Sequence, residues 1–223
     1  MADSAAAIAE VEQVEVETPA GLARWHLSRV PGRPLVQLFL GHGAGGGVDS
    51  ADLRALAAVL PGAGVEVARF EQPWRVAGRK VAGPPAGLDS AWIRAVAAVR
   101  RPELALVVGG RSAGARVACR TAEAVGAGGV LALAFPLHPA GRSDRSRADE
   151  IPTMPVLVVQ GSRDPFGTPA ELRQHLSDQQ QLLEIPGGDH SFNVRRSGPI
   201  TSAEAREVLV IGVRRWLQTL RST

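Results

Sequence analysis

The sequence has one cysteine, Cys119, no tyrosine and only 4% aromatic residues. A lone cysteine forms no internal disulfide and fits a reducing compartment, which predicts a cytoplasmic protein. Its small apolar neighbours predict a buried packing residue rather than a reactive thiol. The scarcity of aromatics removes the stacking platform that single-stranded nucleic acid requires. No stretch approaches the ~20 apolar residues of a membrane span. The opening MADSAAAIAE lacks the basic segment and long apolar run of a secretory leader. Concentrated charge is missing as well: the formal net charge is +3. The one local excess of arginine (Arg142, Arg145, Arg147) is interleaved with Asp144, Asp149 and Glu150, the pattern of a solvated loop rather than a nucleic-acid stripe. No Cys, His and carboxylate cluster has metal-ligand spacing. Nucleic acid, membrane, metal and cofactor are therefore not expected, and the oligomeric state is left open.

Hydrophobic patterning is what the chain does have. Val11 to Glu17 alternates apolar and acidic residues, a half-exposed strand, and Leu22 to Val30 returns as its hairpin partner across Pro19-Ala20-Gly21. Six short apolar runs follow: 35–40, 65–70, 104–108, 130–135, 156–159 and 182–185. Such runs, separated by helix-length segments, predict parallel strands buried on both faces. Asp49 or Ser50 can cap a helix bearing Leu53, Leu56, Ala57 and Leu60, ended by Pro61-Gly62. Asp89 or Ser90 can cap the next, with Ile93, Val96 and Ala97 inward. Thr168 to Glu171 and Thr201 to Glu204 are capping boxes, the second opening a helix with Val208, Ile211, Trp216 and Leu220. The expected architecture is a loose tail at 1–10 and one domain at 11–223: a doubly wound, mostly parallel α/β sheet with an antiparallel N-terminal hairpin and helices on both faces. A chain of 223 residues buries about 70% of its unfolded surface without a staple.

The stretch LFLGHGAGGGVDS admits two chemistries. Gly41, Gly43 and Gly46 match the dinucleotide fingerprint, with Glu71 at the end of the next strand as a ribose-binding acid. The same residues also read as His-Gly-x-Gly-Gly, a loop whose backbone N–H groups hold an oxyanion. A preceding hairpin disfavours the first reading, because the fingerprint usually opens its own βαβ unit.

LVVGGRSAGARVA decides between them. Gly110-Arg111-Ser112-Ala113-Gly114 is G-x-S-x-G between a buried strand and a helix, the context in which the serine is lifted above the sheet as a nucleophile. The acid and histidine should follow in that order. His26 and His42 come too early. His175 reads as a helix-face residue and His138 follows a strand directly, whereas His190 sits in a glycine loop after the last strand, where a mobile base belongs. Asp164, in a turn just past a strand, suits the orienting acid better than Asp189, Asp144, Asp149 or Asp178. The glycine loop then supplies an oxyanion donor from Ala44, with Gly45 beside it, and Ala113 at the helix start supplies the other. His42 orders that loop. Arg79, Lys80 and Arg111 either favour an anionic substrate or face solvent. The long segments 71–88 and 138–155 are either functional loops or surface connections.

Taken together, HGAGG, GRSAG, FPLHP, VQGSRDPFG and GGDHSF resemble the small, lidless α/β-hydrolases near the dienelactone-hydrolase branch. Within these they are similar to the group that includes the testis-expressed hydrolase-like protein and the hydrolase-like part of the NSL histone-acetyltransferase complex subunit. The similarity spans residues 33 to 220. It implies an α/β-hydrolase fold, a Ser112–His190–Asp164 triad with Ala44 and Ala113 as oxyanion donors, and no cofactor. Pro136 and His138 match the pattern without an assigned role. The expected activity is carboxylesterase-like hydrolysis of an ester or thioester of a small molecule. Because that group includes scaffold members, a non-catalytic interaction protein is the alternative, and a complete triad argues against it.

Overall fold

A computed structural model describes residues 11–220. The predicted tail at 1–10 and the last three residues of the predicted domain lie outside the described residues.

The chain opens with β1 (Glu12–Thr18) and β2 (Gly21–Ser28), an antiparallel hairpin in register from Glu12 opposite Leu27 to Thr18 opposite Gly21. The turn is two residues long, and Gly21 at φ 111 takes the conformation that an L side chain resists. Six strands follow: β3 (Val36–Gly41), β4 (Val65–Glu71), β5 (Ala105–Arg111), β6 (Gly129–Leu133), β7 (Val156–Gly161) and β8 (Gln180–Ile185). They form one sheet in the order β1-β2-β4-β3-β5-β6-β7-β8. β2 meets β4 antiparallel, and every pair from β4 to β8 is parallel. This is the predicted architecture.

The helices are α1 (Ala51–Val59), α2 (Pro73–Val76), α3 (Pro85–Val99), α4 (Ala113–Thr121), α5 (Pro169–Arg173) and α6 (Ser202–Thr219). Two cores result, one on each face, because strand side chains alternate. In β3, Phe39 joins Trp25, Phe70, Trp92 and Ala95 on the side of α3 and α4, while Leu38 and Leu40 join Leu53, Leu56, Leu209 and Val213 on the side of α1 and α6. That division explains the uninterrupted apolar runs. Trp25 is fully buried against Phe39, Phe70 and Trp92, and its indole N–H donates to Ala95 O at 3.0 Å.

Several local expectations are corrected. The helix assigned a cap at Asp89 or Ser90 starts five or six residues earlier: Pro84 is extended and Pro85 occupies the first turn, where a missing N–H costs nothing. Asp89 instead pairs with Arg120 of α4. Its inward face is Ala91, Trp92, Ala95 and Val96, and Ala97 is exposed. α1 ends at Val59, and Pro61-Gly62 lie inside a 3-10 turn closed by Gly64 at φ 79. Both capping boxes form. In α6, Ile211 faces solvent, and Leu209, Val213, Trp216 and Leu217 face the sheet. α5 is a single turn, so His175 lies beyond it and is exposed, and Asp178 sits in the turn before β8. Cys119 is buried, and burial pushes its thiol up to about 12, leaving it inert.

Candidate active site

Parallel strands deliver their following loops to one edge of the sheet, and the predicted residues lie there. β5 runs into Ser112, whose backbone sits at φ 53, ψ −113, and α4 begins at the next residue. A non-glycine residue there costs of order 1–3 kcal/mol and persists only where its surroundings enforce it. Here Ser112 N–H donates to Leu133 O of β6 at 2.9 Å, and Ser112 O accepts the Arg116 N–H at 3.1 Å. Glycine makes the turn feasible on both sides. A Cβ on Gly110 or Gly114 would collide with the Gly41 backbone, so β3, the serine turn and α4 approach more closely than side chains permit.

The three predicted side chains meet. Ser112 Oγ lies 2.9 Å from His190 Nε2, and His190 Nδ1 lies 2.7 Å from Asp164 Oδ2. With the serine hydroxyl as donor, Nε2 accepts and Nδ1–H donates to the carboxylate, which fixes the tautomer. The Asp164 side chain is completely buried, while His190 keeps 21% exposure. An enclosed acid and an accessible base suit proton exchange with a bound molecule.

Asp164 is held from two further directions. Phe166 N–H donates to Oδ1 and Gln160 Nε2 donates to Oδ2, both at 2.9 Å. Gln160 has no exposed surface and also donates to Gly167 O at 2.7 Å and Phe135 O at 3.3 Å. The acid turn and the histidine loop touch because Gly161 carries no side chain: a Cβ there would collide with Gly188 O. Asp189, the rejected acid, serves the loop itself, accepting the N–H groups of Ser191 at 2.7 Å and Asn193 at 3.0 Å. Phe192, at φ 58, is buried and anchors the loop in the core, and the Phe166 ring packs 4.5 Å from the His190 ring.

Arg111 turns neither to substrate nor to solvent. It reaches over the histidine loop, donating to His190 O at 2.6 Å and Ser191 Oγ at 2.9 Å, and its Nε lies 3.4 Å from the buried Asp52 carboxylate.

The glycine loop after β3 packs onto the serine turn, so that a Cβ on Gly43 would sit 3.4 Å from Ser112 Cβ. Ala44 occupies an exposed turn of this loop, and Ala113 is the first residue of α4, whose leading N–H groups have no partner within the helix. The loop is fastened by His42, 2% exposed, whose Nδ1 donates to Gly43 O at 2.8 Å while Nε2 accepts the Gln72 N–H at 3.2 Å. Burial holds the His42 imidazole below its ordinary pKa, outweighing the Gly43 bond that opposes it. Glu71, the acid of the dinucleotide reading, is engaged with His26 at 3.1 Å and Arg24 at 3.4 Å.

His138 bridges the 138–147 loop to the start of α5, contacting Arg145 O at 3.0 Å and Glu171 at 3.2 Å. The loop that follows was expected to be solvated, but only part of it is. Glu150 folds back as a two-pronged partner of Arg116 on α4, and Arg147 borders a cavity of about 200 Å³ at Ser112. Gln160, the Arg111 clamp and this cavity escaped the sequence reading. The available signal for Gln160 was a polar residue inside the apolar run VLVVQ.

Among the described residues, no helix is long and apolar enough to cross a membrane. The family model described as an alpha/beta hydrolase domain matches residues 34–218. No curated protein matches the chain. Among solved structures, XC6422 from Xanthomonas campestris, a serine hydrolase without a lid, is 25% identical, with a TM-score of 0.71 over 93% of this chain and 95% of that one. Est1E from Butyrivibrio proteoclasticus is 14% identical, with a TM-score of 0.73 over 95% and 99%. A dienelactone hydrolase from Anabaena variabilis is 19% identical, with a TM-score of 0.72 over 94% and 97%.

Proposed function

This chain belongs to the alpha/beta hydrolase family, and from that premise we propose that it is a carboxylesterase-like serine hydrolase acting on an ester or thioester of a small molecule. Ser112 attacks the acyl carbon, His190 Nε2 takes the hydroxyl proton, and Asp164 stabilises the resulting imidazolium. The N–H groups of Ala44 and Ala113 stabilise the tetrahedral oxyanion, each contributing about 2.7–4 kcal/mol of transition-state stabilisation. His190 then returns the proton to the leaving group, and water admitted to the same base releases the acyl group. We assign the chain to the lidless, dienelactone-hydrolase-like branch, near the testis-expressed and NSL-subunit group, and to the cytoplasm.

The observation that carries this reading is the unbroken chain from Ser112 Oγ to His190 at 2.9 Å and on to Asp164 at 2.7 Å, starting from a serine at φ 53. A structural serine needs neither that backbone nor that pair of partners. Fluorophosphonate labelling with intact-mass and peptide mapping tests it. A single adduct on Ser112, absent in Ser112→Ala, supports an activated nucleophile. No adduct on folded protein refutes it and favours a non-catalytic interaction protein.

A further inference from the structure

The cavity at Ser112 is bordered by His190, Phe166 and Pro136, and by two arginines, Arg116 and Arg147. We propose that it recognises a carboxylate on the substrate, with Arg147 as the principal contact. The proposal rests on reading Ser112 as the nucleophile.

The two arginines differ in what already satisfies them. Arg116 is committed to Glu150, through Nε at 2.7 Å and through Nη2 to the other carboxylate oxygen. Arg120 shares Glu150 at 3.1 Å and holds Asp89 at 2.9 Å. Three cations, Arg116, Arg120 and Arg147, thus meet two carboxylates, Glu150 and Asp89. The unmatched charge is on Arg147. Among the described residues no carboxylate lies within ion-pair distance of it. Its bonds go from Nη1 to the backbone carbonyls of Pro136 at 3.2 Å and His138 at 3.3 Å. These neutral acceptors orient the guanidinium without cancelling its charge. Its own N–H donates to Leu137 O at 2.8 Å, which fixes the base of the loop. Burial, and then the neighbouring Arg116, make the charged form of Arg147 costlier than it is in water, by more than the nearby Glu150 charge offsets. An anion entering the cavity reverses that cost, and a guanidinium presents the planar fork that a carboxylate matches.

A cavity of about 200 Å³ holds roughly seven water-sized groups. That accommodates the reacting ester and a short chain ending in a carboxylate.

The test compares matched substrates. One pair, 4-nitrophenyl hydrogen glutarate and its methyl ester, places the charge on the acyl side. The other, 4-acetoxybenzoate and its methyl ester, places it on the leaving group. We expect the anionic member of one pair to be favoured in kcat/KM by about 10- to 100-fold, the range of a charged hydrogen bond. That pair identifies which side carries the carboxylate. Arg147→Met should bring the preference close to unity, and Arg147→Lys should keep part of it. Equal or better turnover of the neutral member in both pairs overturns the proposal. So does an equal loss on charged and neutral esters in Arg147→Met, which would make Arg147 only a loop staple. If fluorophosphonate does not label Ser112, the hydrolase reading fails separately, and calorimetric titration of the unmodified protein with glutarate decides the anion site. Saturable binding abolished by Arg147→Met supports it, and no binding overturns it. Binding of inorganic phosphate in place of glutarate overturns the assignment to a carboxylate.

Discussion

Arg111 donates to the carbonyl of His190 at 2.6 Å, joining the serine turn to a loop 79 residues away. The residue beside the proposed nucleophile therefore positions the loop of the proposed base. Its Nε also faces the buried Asp52, so removing Arg111 has two separable consequences. Arg111→Met should lower kcat about 10- to 100-fold through displacement of His190. It should also cost about 1–3 kcal/mol by leaving Asp52 without a cation. Adding Asp52→Asn should restore the melting temperature but not kcat. Recovery of both would mean that Arg111 acts only through stability.

Gln160 places one amide nitrogen among Asp164 Oδ2, Gly167 O and Phe135 O, all buried. Gln160→Leu keeps the approximate volume and removes every donor. Stability should fall by about 1–3 kcal/mol for the acceptors left unpaired. The rate of fluorophosphonate labelling should fall as well, because Asp164 loses one of its restraints. Gln160→Glu should do worse than leucine in both measurements, since it sets a second carboxylate against Asp164 in a site without solvent.

The glycines of the serine turn and of HGAGGG differ in what the structure asks of them. A Cβ on Gly114 would run into the Gly41 backbone, whereas a Cβ on Gly45 or Gly46 meets nothing within 4 Å. Gly114→Ala should therefore cost about 1–3 kcal/mol or more by overpacking a backbone contact. Gly45→Ala and Gly46→Ala should lie within about 0.5 kcal/mol of the parent. Chemical denaturation of the three variants checks this. Tolerance at Gly46 also separates this loop from a dinucleotide fingerprint, whose third glycine is required for close packing of helix on strand.

His42 ties the glycine loop to Gln72, and only as a neutral imidazole does its Nε2 accept that N–H. Burial lowers its folded pKa from 6.5, so the unfolded chain binds the proton more readily. The sign follows from linkage: this contribution to stability is complete above about 6.5, and it shrinks as pH falls from there toward the folded value. Melting temperature measured from neutral to acidic pH should decline through that window. His42→Phe should flatten that part of the curve while lowering the whole of it. An unchanged slope would place the titration elsewhere.

What the sequence makes legible follows from how local the cause is. Ser112, Asp164 and His190 each lie in the turn or loop that follows an apolar strand, and parallel strands carry such residues to one edge, so order along the chain is enough to bring them together. Gln160 shows in the sequence only as a polar residue in the apolar run VLVVQ, and only the fold makes its amide converge on the acid. The start of α3 was misplaced because Asp89 and Ser90 are good caps, and Pro84-Pro85 set the boundary earlier. Arg147 looked solvated because acids flank it in sequence. Glu150 leaves that company and folds back onto α4, a consequence of tertiary contact that no local pattern encodes.

The strain at Ser112 is itself measurable. Its φ of 53 and ψ of −113 suit glycine, and the chain holds them by the bond from Ser112 N–H to Leu133 O. Ser112→Ala and Ser112→Gly both delete the hydroxyl and should be equally unreactive to fluorophosphonate. They differ in the backbone: alanine retains the steric cost of this conformation, about 1–3 kcal/mol, and glycine relieves it. Glycine also loosens the unfolded chain, which offsets part of the gain by about 0.4–1 kcal/mol. The net expectation is that Ser112→Gly is the more stable of the two in denaturant titration. If Ser112→Ala is more stable, the turn is relaxed, and the position of the serine is then set by packing alone.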